Sequence, residues 1–272
     1  MEDESTIDSR RSIEQMHRTV ADLRPRPGLA LDPSVSVAAA ARKMSAAGVD
    51  SGLIVSSDGQ LQGILTDTDV ACKVLALGLD ANEVLVSTVM TAGPHCVHAS
   101  DSAVDALCTM VERRFRHLPV LDANGSVVGM LDIAKCLYDA ISRLERHLTS
   151  ASSALSTAVL AAMPNAPPAG SDSAQRIVDG MVQKLFAPPL SGLLQQSQHE
   201  AAGGDAGSRP RLQASESILS AATLMATTKA AVLISSPSVP LAGILTPKDL
   251  LFKVGAKGLP PATTSIDQVA HI

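Results

Sequence analysis

Two stretches of the chain place a threonine and an aspartate three residues apart, each directly after Gly-Ile-Leu: Thr66-x-x-Asp69 and Thr246-x-x-Asp249. This spacing is typical of a helix start, where a threonine hydroxyl accepts a backbone N–H and an acidic residue suits the helix dipole. The same hydroxyl and carboxylate, held together, could also bind a ligand such as the diol of a ribose. The residues alone leave both interpretations open.

The second stretch belongs to a longer internal repeat. Residues 63–79 match residues 243–259 at a constant offset of 180 without a gap, and a further copy lies at an offset of 66, in which Gly63 becomes Gly129. A repeat at a fixed offset marks a duplicated structural unit. The chain therefore contains three related units, and the elements that position Thr66 and Asp69 should recur in each.

Each unit predicts the order strand, helix, strand, strand, helix. In the first unit Ser34 is the predicted N-cap of a helix, and two apolar strands then flank the turn Asp58-Gly59, which is a hairpin signal. Thr66 opens the closing helix. The predicted first helix is amphipathic, with apolar residues at the helical spacing, namely Val37, Ala40, Ala41 and Met44.

Composition restricts the class of protein. The chain has 272 residues and a net charge of −5, which gives no basic field for nucleic acid or an anionic membrane. No apolar run approaches a membrane span, and the acidic, polar start does not resemble a secretory signal. Four cysteines without CxxC spacing favour free thiols in a reducing compartment. We expect a soluble intracellular protein of the cytoplasm, with an organelle not excluded.

The repeat resembles the cystathionine-β-synthase (CBS) module. The resemblance rests on Val-Met-Thr before a copy, His-Leu-Pro-Val in its strand and Gly-Ile-Leu-Thr-x-x-Asp before its last helix, and it covers about residues 19–147 and 181–272. Residues 116–120 and 131–141 are similar to plant and fungal proteins that carry four CBS modules followed by a Phox/Bem1-type domain. Here the sequence is cut short after the third module.

The resemblance implies an α/β (α+β) fold of tandem CBS modules, the first two paired as a Bateman unit. The third module, without its partner, should expose a sheet or helix face. The expected organisation is a disordered N-terminus (1–18), module 1 (19–82), module 2 (83–147), an Ala/Ser/Pro linker (148–180), and module 3 (181–272) with a flexible insert at about 195–211 and the fourth module missing.

In this family the clefts of paired modules bind adenosine nucleotides or S-adenosylmethionine, so the possible ligands are AMP, ADP, ATP or S-adenosylmethionine. Carried over by position, the resemblance implies that Thr66 and Asp69 hold the ribose and that Thr91 lies near the base. Arg116 and His117 would meet phosphate, and arginine suits phosphate because it can donate two parallel hydrogen bonds. Thr246 and Asp249 would form the corresponding site in the third module.

The second unit departs from this pattern. Thr66 becomes Asp132 and Asp69 becomes Lys135. An ammonium group cannot accept hydrogen bonds from a diol. The second cleft is therefore expected to be degenerate or to take a different ligand.

Other chemistry finds little support in the residues. His95, Cys96 and His98 lie close in sequence, but a strand entry sends alternate side chains to opposite faces and no second ligand cluster follows. No nucleophile elbow, phosphate-binding P-loop or dinucleotide fingerprint occurs. We expect no catalytic residues, no metal site and no required cofactor.

The sequence thus predicts a non-catalytic regulatory protein that senses an adenosine-type ligand and modulates a partner by linkage. A homodimer or another protein is the expected partner, through the faces of the CBS modules, with neither nucleic acid nor membrane involved. The alternative is a structural CBS scaffold for dimerisation or protein interaction, in which Thr66 and Asp69 serve only as a helix cap.

Overall fold

The structure is a computed structural model that describes residues 18–143, 146, 210–237, 239 and 241–270. The predicted linker, nearly all of the predicted N-terminal disorder, and the insert up to residue 209 lie outside the described residues. Residues 1–134 and 208–272 form one compact unit, and residues 135–207 form a second. Of the second unit the structure describes residues 135–143 and 146, which are helical.

The first repeat has the predicted order of elements. Strand β1 runs parallel to β2, and β2 is antiparallel to β3, with Ser51 opposite Thr66 at the end of the pair. Helix α2 begins where β3 ends, so the chain turns from strand to helix at Thr66. The elements are β1 (Ala30–Leu31), α1 (Val37–Ala47), β2 (Ser51–Val55), β3 (Leu61–Thr66), α2 (Asp67–Lys73) and a 3-10 turn at Leu75–Leu77.

The second repeat follows after a short connecting segment. Its first strand is parallel to its second, which is antiparallel to the third, as in the first repeat. The connecting segment consists of α3 (Val86–Val89) and β4 (Thr91–Ala92). The repeat itself comprises β5 (Val97–His98), α4 (Ala103–Glu112), β6 (His117–Leu121), β7 (Val127–Asp132) and the helix α5 over residues 133–143.

The third repeat has the same topology, with a parallel and then an antiparallel pair of strands. Its closing helix continues directly into a π-helical turn, whereas the closing helix of the first repeat is followed by a 3-10 turn. The elements are β8 (Arg211–Gln213), α6 (Ile218–Thr228), β9 (Val232–Ser235), β10 (Gly243–Leu245), α7 (Pro247–Leu250), the π-helical turn Leu251–Gly255 and a 3-10 turn at Ile266–Gln268. The predicted α/β fold of three related units is confirmed.

One predicted cap was wrong. Helix α1 begins after Ser36, whose hydroxyl accepts the N–H of Ala39 at 3.2 Å. Ser34 instead donates both its backbone N–H (2.8 Å) and its hydroxyl (2.5 Å) to Asp32. The nearby aspartate therefore holds Ser34 in a turn before the helix starts.

The helices of the first and third repeats share one hydrophobic core. Residues of α1 and α2 pack with those of α6, α7 and the π-helical turn. A Cβ added at Gly255 would lie 3.3 Å from Cγ1 of Val70, so glycine at this position permits the close approach of the two repeats. The largest fully buried side chains of this core include Met44, Leu75, Ile218 and Met225.

Among the described residues, the third repeat exposes apolar side chains on and beside its sheet, whereas its helices pack on the first repeat. Ile244 of β10 is 50% exposed, whereas Ile64, its counterpart at the offset of 180, is 7% exposed. Val239 and Leu241 are exposed in the same repeat. Within the described ranges, no helix is long and apolar enough to cross a membrane.

The first two repeats are paired through an exchange of segments. The segment before the first repeat bonds to the second, and the segment before the second repeat bonds to the first. The N-terminal segment bonds to the second repeat, with Val20 N–H donating to the carbonyl of Asp101 and Arg26 pairing with Met130. The segment before the second repeat adds β4 to the edge of β3 in the first. This exchange places the last residue of β3, Thr66, and the first residue of β6, His117, on facing sides of one cavity.

We expect Gly129→Ala to destabilise this pairing. The added Cβ would lie 2.7 Å from the carbonyl oxygen of Arg26, a backbone atom that cannot rotate away. The free energy of unfolding, measured by urea denaturation, should fall by about 1–3 kcal/mol. Val128→Ala on the same strand is the control, because Val128 is 49% exposed. An equal effect of the two substitutions would contradict the proposed close contact.

Candidate functional site

A cavity of about 470 Å³ lies between the first and second repeats. Its wall from the first repeat and the connecting segment consists of Ile64, Thr66, Asp67, Thr68, Asp69 and Thr91. Its wall from the second repeat consists of Pro94, His95, Arg114, Phe115, Arg116 and His117. The structure thus brings together five of the seven predicted site residues in one concave space.

Thr66 and Asp69 form a capping box at the start of α2. Asp69 Oδ2 accepts the backbone N–H of Thr66 at 2.8 Å and its hydroxyl at 2.7 Å, while Thr66 Oγ1 accepts the N–H of Asp69 at 3.3 Å. Asp69 Oδ1 lies 2.7 Å from Lys73 Nζ and accepts the hydroxyl of Thr91 at 3.2 Å. The helix-cap interpretation therefore holds, and the same carboxylate gathers Thr91 at the cavity wall.

Thr246 and Asp249 repeat this arrangement in the third repeat. Asp249 Oδ2 accepts the N–H and hydroxyl of Thr246 at 3.0 and 2.7 Å, and Lys253 Nζ lies 3.0 Å from Asp249 Oδ1. Neither Thr246 nor Asp249 lines the cavity. The counterpart of Thr91 is His271, which lies outside the described residues.

The guanidinium of Arg116 is held between two carboxylates. Its Nε and Nη2 donate to Asp132 at 3.3 Å each, and its Nη1 lies 3.0 Å from Asp50 Oδ2. His117 Nε2 lies 3.2 Å from Asp50 Oδ1, and the two form an ion pair only when the imidazole is protonated. Within the described part of the chain, neither Asp50 Oδ2 nor His117 Nε2 has an aligned hydrogen bond, so these contacts depend on charge more than on direction.

Asp50 is a buried carboxylate that the sequence analysis missed. It is 6% exposed, and Lys248 of the third repeat lies 3.8 Å from its Oδ2. The contact with His117 holds the pKa of Asp50 far below its usual range against the opposing effect of burial, and the charges of Arg116 and Lys248 act in the same direction. A signal was available, because Asp50 and Arg116 are equivalent positions at the offset of 66 and have opposite charges.

Three further residues of the cavity wall were also missed. Burial, and then the charge of Asp50, raise the pKa of Asp67. The side chain of Arg114 makes no hydrogen bond or ion pair within the described residues, and the residue has a positive φ of 57°. Phe115, one of three phenylalanines in the chain, has its ring 6.0 Å from that of His95. A signal was available, because phenylalanine is scarce in the chain and Phe115 lies within the basic run Arg113-Arg114-Phe115-Arg116-His117.

The residues that depart from the pattern in the second repeat have neighbouring partners of their own. Asp132 accepts the N–H of Ala134 at 2.9 Å in addition to its contacts with Arg116. Burial would raise the pKa of Asp132, but hydrogen bonds from Arg116 and its charge outweigh burial and lower it. In the second compact unit, Lys135 pairs with Asp139 at 3.1 Å.

Two residues of the His95, Cys96 and His98 cluster contact backbone carbonyl groups. The thiol of Cys96 donates to the carbonyl of Pro94 at 3.1 Å, and His98 Nδ1 lies 3.1 Å from the carbonyl oxygen of Asp122. Across the residues that the structure describes, no group of three or more His, Cys, Asp or Glu side chains is placed to hold a metal ion.

We expect Asp50→Asn to lower the free energy of unfolding by about 2 kcal/mol at neutral pH, because Arg116 and His117 lose a buried charge partner. A carboxyl whose pKa is lowered in the folded state stabilises it above the unfolded pKa of about 4 and loses that contribution as pH falls through the folded pKa. The difference between parent and variant in urea denaturation should therefore shrink as the pH falls below about 4. A difference that stays constant or grows below that pH would contradict this assignment.

The comparisons with known proteins agree with this architecture. Residues 20–75 and 86–141 match the family model described as CBS domain. The CBS domain-containing protein CBSCBSPB3 of Arabidopsis thaliana is 36% identical over 252 residues, which are 93% of this chain and 43% of that protein. Meiotically up-regulated gene 70 protein of Schizosaccharomyces pombe is 25% identical over 88% of this chain and 36% of that protein.

The chain spans less than half the length of these curated relatives. The predicted similarity to proteins with a Phox/Bem1-type domain stays a prediction. A solved structure of CBSX2 in complex with AMP matches 46% of this chain and 96% of that one, at 27% identity and a TM-score of 0.40. The two matched domains and the repeated sheet topology identify the chain as a member of the CBS-domain proteins.

Proposed function

We propose that the chain is a non-catalytic regulatory protein that binds an adenosine-type ligand between its first two CBS domains and modulates a partner. The candidate ligands are AMP, ADP, ATP and S-adenosylmethionine. The observation that carries the proposal is that one cavity is lined by all five residues predicted for the first site: Thr66, Asp69, Thr91, Arg116 and His117. Its volume of about 470 Å³ is ordinary for a small-molecule site.

The chemistry of the cavity suits a nucleoside. A carboxylate has about four lone-pair directions, and those of Asp69 are taken by Thr66, Lys73 and Thr91. Two of these donors are hydroxyls that can rotate away, so a ribose diol can replace them at Asp69 while the backbone N–H of Thr66 stays bonded. The ring of Phe115 supplies a face on which a base can stack.

A route from the ligand to the rest of the protein runs through Asp50. This carboxylate lies within ion-pairing distance of Arg116 at the cavity wall and of Lys248 in the third repeat. The third repeat in turn shares a hydrophobic core with the first. A ligand that binds one arrangement of these repeats more tightly than another will shift their populations, and this is the coupling that regulation requires.

The partner is proposed to pack on the faces of the CBS repeats, as a second copy of the chain or as another protein. Three exposed apolar residues of the third repeat mark one such face: Ile244 of β10, and Val239 and Leu241 before it. Thr246 and Asp249 are assigned a ligand-binding role only where a partner completes their cleft. Residence in the cytoplasm and the lack of a required cofactor belong to the same proposal.

A structural scaffold without a ligand is the second candidate function. It is favoured by the capping boxes, because Asp69 and Asp249 make the same local contacts although only Asp69 lies at the cavity. In that case both motifs would serve helix capping alone.

Asp69→Asn and Asp249→Asn separate the two functions as a matched pair. Each substitution weakens a capping box and should lower the free energy of unfolding by about 1 kcal/mol. If the first cavity binds a nucleoside, Asp69→Asn should weaken binding at least about tenfold through loss of a charged acceptor, and Asp249→Asn should leave it unchanged. Isothermal titration with AMP, ADP, ATP and S-adenosylmethionine measures this. No binding by the parent would favour the scaffold, whereas equal binding by both variants would contradict the role proposed for Asp69.

A further inference from the structure

The cations at the cavity wall are largely neutralised before any ligand enters. Arg116 is engaged by Asp132 through Nε and Nη2 and by Asp50 at Nη1, and His117 faces Asp50. These contacts engage three of the five N–H donors of Arg116, so a phosphate at the remaining two meets a guanidinium whose charge the carboxylates already compensate. Because Asp50 is buried, drawing Arg116 toward a phosphate would remove one of the three cationic partners of that carboxylate, which is costly.

A further carboxyl, besides that of Asp69, lies in the wall itself. Asp67 lines the cavity, and its Oδ1 is fixed by the backbone N–H of Thr68 at 2.7 Å. The residue is half-buried beside Asp50, and burial together with the charge of Asp50 raises the pKa of Asp67. The environment that disfavours the charge of Asp67 also disfavours further negative charge on a ligand.

Asp67 is not required by the fold. The equivalent positions are Ile133 in the second repeat and Pro247 in the third, and both repeats form the same turn from strand to helix. Its carboxylate also takes no part in the capping box, which consists of Thr66 and Asp69. An acid at this place in the first repeat alone therefore indicates a role toward the content of the cavity.

Of the two arginines that line the cavity in the described part of the chain, Arg114 is the one that no carboxylate engages. Within the described residues its guanidinium has no ion pair or hydrogen bond, and it lines the cavity on the wall of the second repeat. One cation of this kind can compensate one phosphate group. It cannot compensate both a chain of two or three phosphates and the carboxylate of Asp67.

We propose that the cavity accepts adenosine ligands with at most one phosphate and discriminates against di- and triphosphates, with Asp67 as the residue that sets the limit and Arg114 as the phosphate contact. This inference rests on the proposed function, since it concerns the ligand of the same cavity. It assigns specificity to two residues outside the predicted set.

The first test is titration of the parent chain with adenosine, AMP, ADP and ATP in the presence of EDTA, because divalent cations would neutralise the phosphates. AMP should bind at least as tightly as adenosine. The dissociation constant should rise with each further phosphate, to about tenfold or more between AMP and ATP. ATP binding as tightly as AMP would overturn the inference.

The second test uses three single variants. Asp67→Asn keeps the shape and the acceptor of the side chain and removes its charge, so the ratio of the ATP and AMP dissociation constants should fall about fivefold. Glu83→Gln is the matched control, since it removes a carboxylate from an exposed residue that does not line the cavity, and the ratio should not change. Arg114→Gln should weaken AMP about tenfold and leave adenosine unaffected.

The outcomes distinguish this inference from the function on which it rests. If adenosine and AMP bind but Asp67→Asn leaves the ratio unchanged, Asp67 is not the determinant and the inference fails while the sensor function stands. If no adenosine compound binds the parent chain, including S-adenosylmethionine, both fail together. Far-UV circular dichroism and urea denaturation of each variant exclude unfolding as the cause of lost binding.

Discussion

The arrangement of the first two repeats depends on the compensation of one buried charge. Asp50 is 6% exposed, and a carboxylate at that depth is tolerated only with cationic partners close by. Those partners come from other repeats, with Arg116 and His117 at the start of β6 and Lys248 in α7. Because Arg116 also bonds to Asp132 at the end of β7, the same contacts hold the hairpin of the second repeat against the first. The shape of the cavity wall is thus set by charge as well as by sheet topology.

The two capping boxes show that local sequence fixes a helix start but not a site. The hydrogen bonds from Thr66 to Asp69 and those from Thr246 to Asp249 differ in length by 0.2 Å at most. Each carboxylate also pairs with the lysine four residues on. Only Asp69 faces a second CBS domain, which supplies the opposite wall of the cavity. The difference in function proposed for these motifs therefore arises from their neighbours and not from the motifs themselves.

The same distinction explains what could be predicted from the sequence. The order of strands and helices followed from hydrophobic periodicity and constant repeat offsets, which are local signals, although the competition of Asp32 for Ser34 moved one cap to Ser36. The meeting of Thr66, Asp69 and Thr91 with the second repeat followed only from family resemblance. The residues that were missed take their environment from the approach of two sheets, which no single stretch of sequence encodes: Asp50, Asp67, Arg114 and Phe115.

The three repeats also separate the needs of the fold from those of a ligand. A glycine recurs at positions 63, 129 and 243, in strands that pair in the same register, so it belongs to the fold. The Thr-x-x-Asp pair does not recur in the second repeat, where Asp132 instead accepts the N–H of Ala134 and the helix still forms. A helix start of this type can therefore be made without Thr66 and Asp69. Capping is sufficient to describe what this pair does within the chain, but it is not sufficient to explain why the pair stands where a second domain closes a cavity over it.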